Sequence, residues 1–230
     1  MTDTKRYALR DDDLLLSRCI GVWPIVCQNA SPMQVQGRFW FTGGVVIAAL
    51  ALNTVLSIVN TVFNLPFFLD SIGTAIAAAV VALPAGIAVA IATNLIQEIV
   101  HSAGGTAWPF ALCGIATVLI VDAFVRADRF VTIGDAILVS LLVAIANAVL
   151  GGVIATFVFG GLTGVGLDYL VTGLVAAGQS LVSAAFWARV PTNLFDKALA
   201  VFAAFALRAP LLRLKGLMSS LDEYRENRVE

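Results

Sequence analysis

The chain is poor in charge. Only 13% of its 230 residues are Asp, Glu, Lys or Arg, about half the usual ~25% of a soluble domain. Hydrophobic residues make up 60%, and mean hydropathy is +0.93. A soluble core of this size could not hide that much apolar surface, so the composition points to one integral membrane domain. With 14 basic residues against 15 acidic ones, there is no basic stripe for nucleic acid. The one histidine, His101, excludes a site built from several imidazoles. Cys19, Cys27 and Cys113 are odd in number and lack metal-site spacing, so they frame neither a disulfide scaffold nor a metal centre. No P-loop and no serine or cysteine nucleophile setting is present. The chain is expected not to be an enzyme, to hold no metal or cofactor, and to borrow ATP hydrolysis from partners if it needs it. Signal-peptide features are missing too. Residues 1–40 carry Lys5, Arg6, Arg10, Asp11, Asp12, Asp13, Arg18 and Arg38, with no cleavage site after an early apolar run.

What is present is a series of apolar segments punctuated by charge. Residues 43–63 read as a first span. Asp70 or Ser71 is placed to cap a short apolar segment, 71–82, which Pro84 and Gly86 interrupt. Further segments read as 85–100, 107–125, 136–159, 169–188 and 194–209. The tail from Pro210 sets Leu211, Leu214, Leu217 and Leu221 among basic residues, an interfacial pattern. The positive-inside rule arbitrates the span count. Six spans, with 169–188 not crossing, put twelve basic residues inside and two, Arg189 and Lys197, outside. A crossing 169–188 gives nine to five. Treating 71–100 as one kinked span in addition gives ten to four. The first arrangement is preferred: an all-α membrane protein of six transmembrane helices plus a non-spanning helix near 169–188, with both termini and the loop 126–135 cytoplasmic. It divides into a cytoplasmic extension (1–40), a transmembrane substrate-binding domain (41–212) and a cytoplasmic tail (213–230).

Polar residues inside spans need partners in hydrocarbon and so carry information. Asn53, Ser57, Asn60 and Asn64 share one face of the first span, and interhelical hydrogen bonding is the favoured reading for the first three. Asn94, Gln97, Glu98 and His101 share a face of the third segment, Asn147 lies midway along the fifth, and Trp108 enters the fourth. With Gln179 they form the candidate substrate pocket. Amide, carboxylate, imidazole and indole suit a flat heteroaromatic ligand. Glu98-x-x-His101 is half of a bundle metal motif without a second copy. Asp122 and Arg126 read as a helix-end ion pair. Asp135 and Asp168 read as caps, and Asp196-Lys197 as an interfacial anchor or a pocket wall. Small residues recur every fourth position at Ala136, Ser140, Ala144, Ala148, Gly152 and Thr156, with a similar pair at Gly44 and Ala48. Such faces allow close helix packing, within the fold or against another membrane protein.

The stretch Leu65-Pro66-Phe67-Phe68-Leu69-Asp70-Ser71-Ile72-Gly73-Thr74, then Leu83-Pro84-Ala85-Gly86 and Thr93-Asn94, resembles the substrate-binding (S) components of energy-coupling factor (ECF) transporters. So do Phe159-Gly160-Gly161-Leu162-Thr163-Gly164 and Asn193-Leu194-Phe195-Asp196-Lys197-Ala198, and the likeness covers roughly residues 43–212. The resemblance implies six membrane helices in a bacterial cytoplasmic (inner) membrane and capture of a vitamin-like small molecule from outside. It implies docking, through small residues, on an ECF transmembrane coupling protein with two ATPase subunits. Gly44, Ala48, Ala144 and Ala148 are the docking candidates. The sequence departs from the family where Ala48 is followed four residues on by Leu52, and where Leu83 precedes Pro84 in place of glycine. The family's nickel and cobalt branch uses an N-terminal histidine, which is absent.

Two other functions are open to these residues. One is a membrane sensor or scaffold domain that binds a ligand or partner helix without transport. The 21 residues after Ala209 are short for an output domain, which favours uptake. The other is a proton-coupled carrier centred on Glu98 and His101, though the inverted repeats of many carriers are not evident.

Overall fold

The computed structural model describes residues 32–100, 108–163 and 166–226. Among them are seven α-helices, a short 3-10 turn at Trp108–Phe110 and no strand. The helices are α1 (Pro32–Phe63), α2 (Ile72–Val80), α3 (Leu83–Val100), α4 (Ala111–Arg126), α5 (Ile133–Phe159), α6 (Asp168–Ala176) and α7 (Leu181–Glu226). The all-α class expected from the sequence is what the described residues adopt. Four segments are long and apolar enough to cross a bilayer: Phe39–Phe63, Leu83–Val100, Trp108–Arg126 and Ile133–Phe159. Their outward faces expose Ile47, Val55, Leu95, Ile99, Ile145 and Val153. An apolar exterior of this extent on helices of spanning length suits contact with lipid or with another membrane protein.

Local chemistry sets the helix ends. Pro32 occupies the first position of α1, where its missing N–H costs nothing. Asn64, at φ 48°, closes that helix in the left-handed region. Thr132 caps α5 and Asp135 completes the capping box from its third position, so Asp135 supports the cap rather than being it. Asp168 likewise stands inside the first turn of α6, and its carboxylate accepts from the Thr163 amide. Ser71 holds the cap position of α2, yet its side chain makes no capping bond. It is committed elsewhere.

α2 is the unusual element. All nine of its residues are buried, and at ~1.5 Å per residue it is roughly 13 Å long, under half of a hydrocarbon core. It folds back on α3 rather than continuing into it, because a Cβ on Gly86 would lie 3.5 Å from the Ala78 Cα. Residues 71–100 are therefore a helical hairpin, not one kinked span. α2 runs parallel to α7. Ser71 at its start meets Lys197, and the Ala79 carbonyl near its end accepts from Arg208 Nε at 3.3 Å. A cation at that helix C-terminus offsets the dipole and satisfies a carbonyl that hydrocarbon would leave unpaired.

The last third differs from the sequence reading. Residues 169–188 are not one helix. Gly178, at φ 94°, turns the chain between α6 and α7. Conversely, 194–209 is not a separate helix but part of α7, which runs 46 residues through Pro191 and Pro210. Nor do helices break at 40/41 or 212/213, since α1 and α7 run through them. The small-residue stripe of α5 faces inward. Ala136, Ser140, Ala144, Ala148 and Gly152 are all buried, and a Cβ on Gly152 would meet Phe186 of α7 at 3.2 Å. Ala144 and Ala148 are thus buried within the fold and present no free face for docking. Gly44 and Ala48 remain exposed on α1.

Candidate functional site: a buried charge cluster under the first connection

Lys197 sits in the middle of α7, 3% exposed. Its Nζ donates to Asp196 Oδ2 at 2.6 Å and to Ser71 Oγ at 2.7 Å, and lies 3.9 Å from Asp70 Oδ1. Gln97 Nε2 of α3 donates to Asp70 Oδ2 at 3.4 Å. The other oxygen of Asp196 accepts from the Leu69 amide at 2.8 Å. Lys197 also stands 5.8 Å from the centre of the Phe68 ring, and Phe67 packs against Phe195 at 4.8 Å. Two carboxylates and one ammonium, with Asp196 and Lys197 buried and Asp70 partly exposed, hold the connection between α1 and α2 against α7. Burial pushes the Asp70 carboxyl up from its ordinary value, and Lys197 pulls it back down. Asp196-Lys197 is therefore buried in the bundle and not an interfacial anchor.

Asn53 supports this cluster from α1. Fully buried, its Nδ2 donates to Thr74 Oγ1 and Thr93 Oγ1, both at 3.0 Å, and its Oδ1 accepts from the Gly73 amide at 2.7 Å. One side chain ties α1, α2 and α3 together, the interhelical role its position in the span favoured. Gly73 permits the approach: a Cβ there would stand 2.3 Å from the Ala49 carbonyl oxygen.

The remaining candidate pocket residues are dispersed. Asn94 is buried, and its amide donates to Ala90 of its own helix. Asn147 is buried and donates to Thr117 Oγ1 at 3.1 Å and to the Val143 carbonyl. Glu98 is half-buried. Trp108 is 59% exposed, in the 3-10 turn that leads into α4. Gln179 is exposed between α6 and α7, where its Oε1 accepts from Ser183 Oγ. His101 lies outside the described residues. Gln97 is the candidate whose bond to the charge cluster is seen. Ser57 and Asn60 are buried on α1 while Asn64 is exposed, and the Asn60 Oδ1 has no partner. Asp122 and Arg126 form the expected ion pair at the end of α4. Among the described residues no group of three His, Cys, Asp or Glu side chains could hold a metal ion.

A second buried charge escaped the sequence reading. Arg189, two turns before Lys197 on α7, is 1% exposed and is the largest fully buried side chain. Its signal was there to read, a lone cation inside an apolar stretch.

Compared with known protein families, curated proteins and solved structures, the chain matches none.

Proposed function

We propose that this chain is the membrane-embedded substrate-binding subunit of an ECF-type importer, taking a vitamin-like small molecule from outside and passing it to a separate coupling protein with two ATPase subunits. The observation that carries the reading is the convergence of the two stretches behind the resemblance. Leu65–Thr74 and Asn193–Ala198 lie some 126 positions apart, yet Leu69, Asp70 and Ser71 of one bond or pair with Asp196 and Lys197 of the other. Gln97, from the expected substrate face, is at the same place.

In this reading α1, α3, α4, α5 and α7 cross the bacterial cytoplasmic membrane. α2 is the short second of six membrane elements, and α6 lies at the outer surface. The charge distribution agrees. Arg189 and Lys197, the two basic residues assigned to the outside, are buried, so the described connections at 64–71, 160–163 and 177–180 hold no Lys or Arg. The 126–132 connection holds Arg126 and Arg129, which favours cytoplasmic termini. Docking on the coupling protein falls to the exposed α1 face at Gly44 and Ala48.

The test is mass spectrometry of small molecules released by denaturing the purified, detergent-solubilised protein, with a search for a co-purifying ATPase complex. One stoichiometric vitamin-like compound supports the reading. An empty protein that recruits no ATPase from its native membrane refutes it. A second reading, a membrane sensor, draws on one observation: α7 is unbroken from Leu181 to Glu226, so it joins the Lys197 cluster to the charged tail as one rod.

A further inference from the structure

The buried guanidinium of Arg189 is only half provided for. Its Nη1 donates to the Ala185 carbonyl at 2.8 Å, and its Nη2 reaches Thr163 Oγ1 at 3.4 Å. Its Nε is buried and has no hydrogen-bond partner. Both Nη bonds go to neutral oxygens, unlike those of Arg126 to Asp122 and of Lys197 to Asp196. Asp168 is the acid whose charge reaches Arg189. That carboxylate, however, accepts from the Thr163 amide at 3.0–3.1 Å and from Thr163 Oγ1 at 3.3 Å. Thr163 thus stands between the two charges.

A guanidinium withdrawn from water costs several kcal/mol unless an anion answers it. Lys197 shows the answer this fold gives elsewhere, two carboxylates and a hydroxyl around one cation. Arg189 has neutral oxygens at its tip and an idle donor at its base. Position 151 of α5 is glycine, and an added Cβ there would stand in ordinary contact with Arg189 Cδ at 3.7 Å, Arg189 Nε at 3.9 Å and Cys113 Sγ at 3.9 Å, so the stem passes between α5 and the start of α4. The idle Nε with an adjacent Nη is the edge of the fork that matches a carboxylate or phosphate in two parallel bonds.

We infer that Arg189 is the anchor for an oxyanion group, a carboxylate or phosphate, on a ligand bound between α5, α7 and the start of α4. The inference deepens the substrate-binding reading and rests on it for the ligand's role in uptake. With the termini cytoplasmic, Arg189 lies about two helical turns nearer the outside than Lys197, beside the 160–163 connection. An anion arriving from that side meets Arg189 first. The ligand class narrows to small acids and their esters with phosphate, and excludes neutral bases and amines.

Acetate is the probe, with acetamide as its neutral isostere at matched ionic strength, read as the unfolding midpoint of the detergent-solubilised full chain. Acetate should raise the midpoint of the natural protein and acetamide should not. Arg189→Gln should weaken the acetate response by about ten- to a hundredfold, the worth of a charge-assisted hydrogen bond. Arg189→Lys, which keeps the charge without the fork, should retain part of it. Equal action of acetate and acetamide on the natural protein overturns the inference, and this comparison stands even if Arg189→Gln does not fold. So does an Arg189→Gln response equal to that of the natural protein. Mass spectrometry of the released compound separates the two readings. A bound neutral compound sustains uptake and overturns the oxyanion anchor. An empty chain whose acetate response depends on Arg189 sustains the anchor and counts against uptake.

Discussion

Replacing Lys197 by methionine tests the charge cluster most directly. Methionine keeps the length of the stem and removes the ammonium. The change takes both close bonds from Nζ, to Asp196 and Ser71, and the longer pairing with Asp70. Asp196, fully buried, then keeps a single partner, the Leu69 amide. Removing one member of a buried ion pair costs about 3–5 kcal/mol, because the other charge stays buried and uncompensated. At roughly 2–4 °C per kcal/mol for a chain of this size, the unfolding midpoint should fall by about 6–20 °C. The double variant Asp196→Asn, Lys197→Met carries the sharper expectation. Asparagine can still accept from Leu69, and the stranded charge is gone, so most of the loss should be recovered. Removing both partners of a buried pair is often close to neutral. Thermal unfolding in one detergent, followed by tryptophan fluorescence for the natural chain and three variants, completes the cycle. A Lys197→Met midpoint within about 2 °C of the natural protein would show that water or detergent reaches the cluster. A double variant as unstable as the single one would show that Asp196 was not the stranded group.

Gly73→Ala should be as damaging, at more than about 2 kcal/mol, since its Cβ would overlap the Ala49 carbonyl; a midpoint unchanged in the same melt would mean that α1 and α2 are not in this contact. Asn53→Ala strands the Gly73 amide and two threonine hydroxyls and should cost about 1–3 kcal/mol, while Asn53→Ala combined with Thr74→Val should cost less than the sum of the two alone. Thr132→Ala removes one half of the exposed capping box on α5, and the expected loss is about 1 kcal/mol, with ligand and partner binding unchanged by calorimetry and pull-down. Ala48→Leu should leave the melt untouched and impair assembly with the coupling protein, whereas Ala144→Leu should lower the midpoint, because its site is buried.

The parts of this fold that sequence made legible are those in which a residue's partner is lipid or its own helix. Long apolar runs mark Phe39–Phe63, Trp108–Arg126 and Ile133–Phe159, because every outward residue must be apolar whatever the bundle inside. Asp122 and Arg126 are four apart on one helix, so their pairing needs no tertiary knowledge. The α6–α7 boundary is harder. Proline is a weak stop inside a packed bundle, where neighbouring groups absorb the freed carbonyl, so Pro191 left α7 whole while Gly178, an ordinary glycine on paper, turned the chain. The charge cluster was the least legible of all. Lys197 looks like an interfacial lysine until α2 is seen to start beside it, and α2 is there because Asn53 and Gly73 draw it against α1. Its content was nevertheless constrained: a cation at position 197 of an apolar helix must be answered in hydrocarbon, and Asp196, Asp70 and Ser71 answer it. The same rule applied to Arg189 returns an incomplete answer, since its neighbours supply two neutral oxygens and leave Nε unpaired. Two buried cations on one helix, one provided for within the fold and one not, divide the labour of α7: Lys197 fastens the bundle, and Arg189 is left for what the bundle binds.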